Sequence, residues 1–291
     1  MSFLHGVGTA LTHARASLVL AAITLHLAGL VVTGERWRGV VASLGGRVTL
    51  ARSTLINLAG IFVRNATPTT GLGGDASRIA LLRAAGVPLA QATASFVYVR
   101  AAELPAIAAL VLIALPVLGA AIGRTSRQIE WAIAAAVLAT VALWTARRRL
   151  RAARQTFRER TAHVRISSAA FGTAIAYATL AQIETLARQV VVAAAFGFPL
   201  TIQQSATITA LSIAGGLVPT VGSIGAIDGG IVAGLMICGA TVDTAVAITL
   251  VERAISYGLS TALGAAALAG LGGRAILRLV TDRTTDAVAA G

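Results

Sequence analysis

Asn65-Ala66-Thr67-Pro68-Thr69-Thr70-Gly71-Leu72-Gly73-Gly74-Asp75-Ala76-Ser77-Arg78 interrupts an otherwise apolar chain. The stretch combines a proline, three glycines, a primary amide (Asn65), a carboxylate (Asp75) and a guanidinium (Arg78). Proline and clustered glycine break helices, so a turn between two helical pieces is predicted here. A second stretch answers it: Pro219-Thr220-Val221-Gly222-Ser223-Ile224-Gly225-Ala226-Ile227-Asp228. The match continues downstream, with Asp75, Gly86 and Arg100 separated by 11 and 14 residues, as are Asp228, Gly239 and Arg253. Each Arg has a Glu nearby, Glu103 in one case and Glu252 in the other. The combination predicts an internal duplication offset by about 153 residues.

The context of the duplication is a bilayer. Of 291 residues, 56% are hydrophobic and 12% charged, and the mean hydropathy is +0.82. A soluble domain carries about twice that share of charge. Several windows approach the roughly 20 apolar residues that span a bilayer core, so a multi-pass membrane protein is expected. The net charge of +13 comes from arginine alone. Most of these arginines flank apolar segments, where they fix orientation and meet anionic headgroups; nucleic acid is not the expected partner. Cys238 is the only cysteine, which excludes an intramolecular disulfide. The start of the chain lacks a cleavable-signal pattern, and its first apolar segment reads as a retained anchor.

A single all-α membrane domain over 1–291 is expected, with repeat half 1 over about 17–120, a linking span and basic loop over 121–165, repeat half 2 over 166–275 and a polar tail at 276–291. Residues 1–15 read as an interfacial lead-in, Ser17 to Thr33 as the first span, and Glu35 to Arg52 as a basic loop. Ser53 to Val63 and Ala76 to Ala85 read as a broken or re-entrant hairpin around the first motif. Ala92 to Leu118, Glu130 to Thr145, Ile166 to Phe196 and Val246 to Leu271 read as spans. Gln203 to Val218 and Ile231 to Ile237 flank the second motif as a second broken hairpin. The 147–165 loop holds eight Arg against one Glu and is expected on the cytoplasmic side, with the C-terminus. With one odd span between them, the halves would be inverted relative to each other, an architecture common in secondary transporters.

Charges at bilayer depth face a cavity or a partner. Arg100 and Glu103 share a helix face, as do Glu184 and Arg188, with Tyr177 on the latter stripe. Thr249, Glu252, Arg253, Ser256 and Ser260 form a polar stripe on the last span. Structural ion pairing is one reading of these groups. The other is a polar groove for a charged headgroup, favoured for Arg100, Glu103, Glu252 and Arg253 because they recur in both motifs. Asp75 and Asp228 fit N-capping; a glycine-rich turn at a helix start also offers an anion site. His26 reads as a hydrogen-bonded interior residue rather than a ligand or proton carrier. His5, His13, His26 and His163 lack metal-ligand spacing, and no nucleotide loop or catalytic triad pattern occurs. Neither a cofactor nor an enzymatic activity is expected.

The run from Asn65 and Pro68 through Gly73-Gly74-Asp75 and Arg78, with Gly86 and Arg100 behind it, resembles the lysylphosphatidylglycerol synthase transmembrane region, a flippase-like family. Pro219 to Asp228, with Gly239 and Arg253, resembles that family's C-terminal motif, although Asp228 stands where Glu is usual and Pro219-Thr220-Val221-Gly222 replaces a Pro-Gly-Gly run. The resemblance covers about residues 35–275. It implies a domain that handles membrane lipids, whether anionic or aminoacylated phospholipid or a polyprenyl-linked glycolipid, and moves them between leaflets. A role presenting lipid to a separate glycosyltransferase or aminoacyl-transferase is the alternative. No counterpart of the soluble aminoacyl-transferase domain is present, so synthase activity is not expected. The headgroup-binding residues implied are Asn65, Asp75, Arg78, Arg100, Glu103, Asp228, Glu252 and Arg253.

Overall fold

A computed structural model describes residues 3–67, 72–122, 166–216 and 225–272. These residues are helical apart from short connections. In chain order the helices are α1 (Phe3–Thr12), α2 (Ala16–Ser43), α3 (Leu50–Ala66), α4 (Leu72–Ala84), α5 (Leu89–Ile122), α6 (Ser168–Ala195), α7 (Ile202–Gly216), α8 (Ala226–Ile237) and α9 (Val242–Arg253). A π-helical turn (Ala254–Leu259) then leads into α10 (Ser260–Gly270). Among the described residues, two helices are long and apolar enough to cross a membrane, Ala16–Ser43 and Leu89–Ala121. The expected linking span Glu130 to Thr145, the basic 147–165 loop, the tail, Pro68–Gly71 and the Pro219–Ile224 part of the second motif lie outside the described residues.

Several boundaries differ from the sequence expectation. The 1–15 lead-in contains a helix, α1. The Glu35 to Arg52 loop is helical for two-thirds of its length, because α2 runs on to Ser43 and α3 starts at Leu50. Its charges do not break it: Arg38 pairs with Glu35 one turn away, and Arg36 turns inward and is buried. The true break comes at Gly45, whose φ of 84° is a left-handed conformation that favours glycine. At 17 residues, α3 is longer than the Ser53 to Val63 expected and reaches about 25 Å.

The two halves correspond in local chemistry beyond the two motifs. α2 and α6 each have 28 residues. Both end in the same left-handed glycine cap. Gly46 N–H donates to the Val41 carbonyl at 2.9 Å, and Phe198 N–H to the Ala193 carbonyl at 3.0 Å. Thr49 caps α3 through the Arg52 N–H, and Thr201 caps α7 through the Gln204 N–H, both at 3.3 Å. Ser53 Oγ donates to the Gly34 carbonyl of α2 at 2.7 Å, and Ser205 Oγ to the Leu186 carbonyl of α6 at 3.1 Å. After the motifs the same agreement holds. Val87 N–H bonds the Leu82 carbonyl at 3.1 Å across Gly86, and Ala240 N–H bonds the Leu235 carbonyl at 3.0 Å across Gly239.

Packing between the halves is reciprocal. α2 lies along α6, its own repeat partner; α3 packs on α10, and α7 packs on α5. Each half therefore covers the other's hairpin with its last long helix. One core gathers Trp37, Val41, Ile56, Leu82 and Val99 and takes Leu268 from α10. The second gathers Val192, Ile208, Leu235 and Ile248 and takes Ala22 from α2. In lipid, helix association rests on close packing, which small residues allow. A Cβ added to Gly74 of α4 would lie 2.5 Å from the Gly60 carbonyl of α3, and one added to Gly230 of α8 would lie 2.5 Å from the Leu211 carbonyl of α7. Glycine thus closes both hairpins.

The candidate site at the two hairpin tips

Asp75 is the fourth residue of α4, not its N-cap, which corrects the capping expectation for this residue. From inside the first turn its Oδ1 accepts from Arg78 Nη1 at 2.7 Å and from Arg100 Nη2 of α5 at 2.8 Å. Arg100 Nη1 donates onward to Glu103 Oε2 at 2.9 Å, and the other oxygen of Glu103 accepts from Arg36 Nη2 of α2 at 2.7 Å. The result is an alternating chain, Arg78–Asp75–Arg100–Glu103–Arg36, that ties α4, α5 and α2 together. Arg78 also lies over the Trp37 ring at 5.8 Å, and Arg100 over Phe96 at 5.8 Å. Arg78 and Arg36 are buried, whereas the Arg100 side chain stays 40% exposed.

The second motif repeats the central link. Arg253 Nε lies 2.6 Å from Asp228 Oδ1, joining α8 to the end of α9 as Arg100 joins α5 to α4. Here Asp228 is also a cap: as the third residue of α8 it accepts the Gly225 N–H on Oδ2 at 2.8 Å. Arg253 stacks over Tyr257 at 4.8 Å.

The polar stripe expected on the last span is split. Glu252 and Arg253 are neighbours about 100° apart around the helix, and they go to different partners. Glu252 turns inward and pairs with Arg188 of α6, which also holds Glu184 at 3.0 Å. His26 of α2 completes this second cluster: its Nδ1 lies 3.8 Å from Glu184 Oε1 and its Nε2 2.7 Å from Ser260 Oγ. Thr249 simply returns its hydroxyl to the Ala245 carbonyl of its own helix. The π-helical turn begins one residue past Arg253. In the first half, Pro105 lies inside α5 at the corresponding point, so both long helices carry an irregularity just beyond their motif Arg.

Asn65 joins the halves at the first tip: its amide Nδ2 donates to Thr261 Oγ1 at 2.8 Å, and its backbone carbonyl accepts from Tyr257 at 3.2 Å. Asn65, Asp75, Arg78, Arg100 and Glu103 are thus brought together, as are Asp228 with Arg253 and Glu184 with Arg188 and Glu252. Tyr177 is not. It lies about two helical turns before Glu184 on α6, away from the Glu184–Arg188–Glu252 cluster. Sequence reasoning missed Arg36, Arg64 and the role of His26 as a partner of Glu184. Arg36 had a signal: it stands in α2 where Arg188 stands in α6, counted from the shared helix starts. Among the described residues, no group of three or more His, Cys, Asp or Glu is arranged to hold a metal ion.

These features define an all-helical domain of two reciprocal halves, each with a glycine-closed hairpin whose acid is tied to an Arg 25 residues on. The family model of the lysylphosphatidylglycerol synthase TM region matches residues 2–264, and the chain belongs to that family. Among curated proteins none matches the chain. Family membership makes this a transmembrane region with a membrane lipid-related function. Leu20, Leu104, Leu112 and Ile183, each more than half exposed, supply the apolar outer surface such a region needs.

Proposed function

We propose that the chain is a flippase-like lipid transporter, in which the two hairpin tips form a polar path for a phosphate-bearing headgroup while the acyl tails stay in lipid. The observation that carries this reading is the repeated acid–Arg link, Asp75 to Arg100 and Asp228 to Arg253. Both are seated at helix breaks, with Asn65 joining the first tip to α10, which follows the second Arg through the π-helical turn. A carboxylate held against a partly exposed guanidinium, 40% exposed for Arg100 and 18% for Arg253, is a replaceable partner: a headgroup phosphate can take the Arg in its place. Arg78, Arg36 and Arg188 are too enclosed for that exchange and act as the frame. In this reading the halves are inverted in the membrane about the linking span, and alternating access moves the headgroup.

The test is a leaflet-exchange assay in proteoliposomes. Arg100→Gln leaves Asp75 with Arg78 and Glu103 with Arg36, and Arg253→Gln leaves Asp228 with the Gly225 amide. Both variants are expected to keep a wild-type melting temperature and lose at least about tenfold in exchange rate. Exchange at the wild-type rate in both would end the reading. Wild-type protein that retains phospholipid but exchanges none would favour the lipid-presenting role beside a separate enzyme. The orientation has its own check: with Cys238→Ser as background, Arg154→Cys should react with an impermeant thiol reagent only after permeabilisation.

A further inference from the structure

Resting on that reading, we infer that Arg64, at the tip of α3, is the phosphate-docking residue of the path. The arginines that converge on the hairpin tips are otherwise matched: Arg36, Arg78, Arg100, Arg188 and Arg253 each have a carboxylate partner. Arg64 has none among the described residues. Its neighbour Asn65 bonds Thr261 and Tyr257 of the other half, which puts Arg64 where the halves meet.

Arg64 lies in the last turn of α3, at the closed end of the hairpin. Arg52, in the first turn of α3, and Arg83, in the last turn of α4, lie at its open end. Arg64 is twelve residues beyond Arg52, about 18 Å along the helix axis. In the transport reading this closed end enters the bilayer, where a lone guanidinium is costly unless an anion or water meets it.

The stem of Arg64 is fixed while its head is free. Asn65, the next residue, is clamped by Thr261 and Tyr257. On the other side a Cβ on Gly74 would fall 2.7 Å from Arg64 Cβ, so the α4 backbone packs directly against the stem. Val63 and Asn65 are buried and Arg64 between them is exposed. A rigid base carrying an unmatched planar fork is the geometry that grips a phosphate through two parallel hydrogen bonds. Charge counting agrees. Around the first tip, Arg36, Arg64, Arg78 and Arg100 oppose two carboxylates; around the second cluster, Arg188 and Arg253 oppose three. The net excess is one positive charge, which a single phosphodiester cancels, and the excess cation lies on the first half.

The experiment uses the full chain in detergent and two fluorescent probes of identical acyl chains, phosphatidylglycerol and diacylglycerol, with inorganic phosphate as competitor. Arg64→Gln is expected to weaken phosphatidylglycerol binding at least about tenfold and to leave diacylglycerol binding unchanged. Arg64→Lys should fall between, since a point charge attracts phosphate without the fork. Arg52→Gln should match wild type. Competition by millimolar inorganic phosphate in wild type but not in Arg64→Gln would assign the site to the phosphate group itself. No competition, with the Arg64→Gln loss intact, would assign it to the lipid-borne group. Wild-type affinity for phosphatidylglycerol in a folded Arg64→Gln, or no preference of wild type for phosphatidylglycerol over diacylglycerol, would overturn the inference. Should Arg64→Gln misfold, Arg64→Lys decides, with unchanged affinity counting against. Protein that binds through Arg64 yet exchanges no lipid keeps this inference and ends the transport reading.

Discussion

The two halves share helix lengths, caps and hairpin closures, yet they spend their charges differently. In the first half, two carboxylates are spread among three guanidinia on three helices, so each carboxylate touches two cations. In the second, one buried guanidinium, Arg188, holds Glu184 and Glu252 together, while Asp228 pairs separately with Arg253 near the surface. The backbone frame common to the halves depends on caps and small residues, and the halves differ in side chains that the frame does not require. The first half holds a redundant network, and the second a tight cluster about one residue.

That contrast is most easily broken at the repeat-related pair Arg36 and Arg188. Removing Arg188 strands the buried Glu252 and leaves Glu184 with His26 alone, and should destabilise the protein by about 3–5 kcal/mol. Removing Arg36 leaves Glu103 with Arg100 and should cost about half as much or less. Thermal unfolding of Arg188→Gln and Arg36→Gln measures the difference. Arg188→Gln combined with Glu252→Gln should recover part of the loss, because the stranded buried charge is then gone. Equal losses in the two single variants would mean that the first-half network is no more redundant than the second.

A smaller effect is expected where the frame itself differs. Gly60 of α3 stands where α7, counted from its start, has Ser212. A Cβ at Gly60 would lie 2.6 Å from Arg78 Nε. Arg78 is boxed in by Trp37 and Asp75 and has little room to retreat. Gly60→Ser, which makes the first half like the second, should destabilise by about 1–3 kcal/mol through overpacking. Ser212→Gly should be nearly neutral. A melting temperature unchanged by Gly60→Ser would show that the Arg78 seat is soft.

How much of this was legible beforehand differs between frame and site. The glycine breaks, the Asp–Gly–Arg spacing and the same-face pairs Arg100–Glu103 and Glu184–Arg188 follow from one-dimensional periodicity, and all were readable. The α2 boundary was misread because charge was taken as a loop signal, whereas Arg36 and Arg38 stay helical once each has a carboxylate to meet. The divergence of Glu252 from Arg253 depends on which neighbouring helix lies on each side, a fact of packing that spacing does not contain. The place of Arg64 is hidden for a related reason: what marks it is the lack of a carboxylate partner, visible only after the other described arginines at the hairpin tips have been assigned theirs.

The smallest predicted effects test the symmetry rather than the difference. Thr49 and Thr201 cap α3 and α7 with the same bond at the same distance, 3.3 Å, and each opens a hairpin closed by glycine. Thr49→Ala and Thr201→Ala should each cost about 1 kcal/mol, the usual value for an N-cap, and the two melting temperatures should fall together. One asymmetry works against equality. Thr201 N–H is itself bonded by the Gln204 side chain at 2.8 Å, a reciprocal arrangement for which the first half has Arg52 at the matching place. If that return bond matters, Gln204→Ala should lower the stability of the second hairpin by a few tenths of a kcal/mol. Thr201→Ala combined with Gln204→Ala should then cost less than the two losses added, because the single substitutions break parts of one unit. Strict additivity, with Thr49→Ala and Thr201→Ala indistinguishable, would make the caps equal parts of a conserved frame and confine the divergence of the halves to their charged side chains.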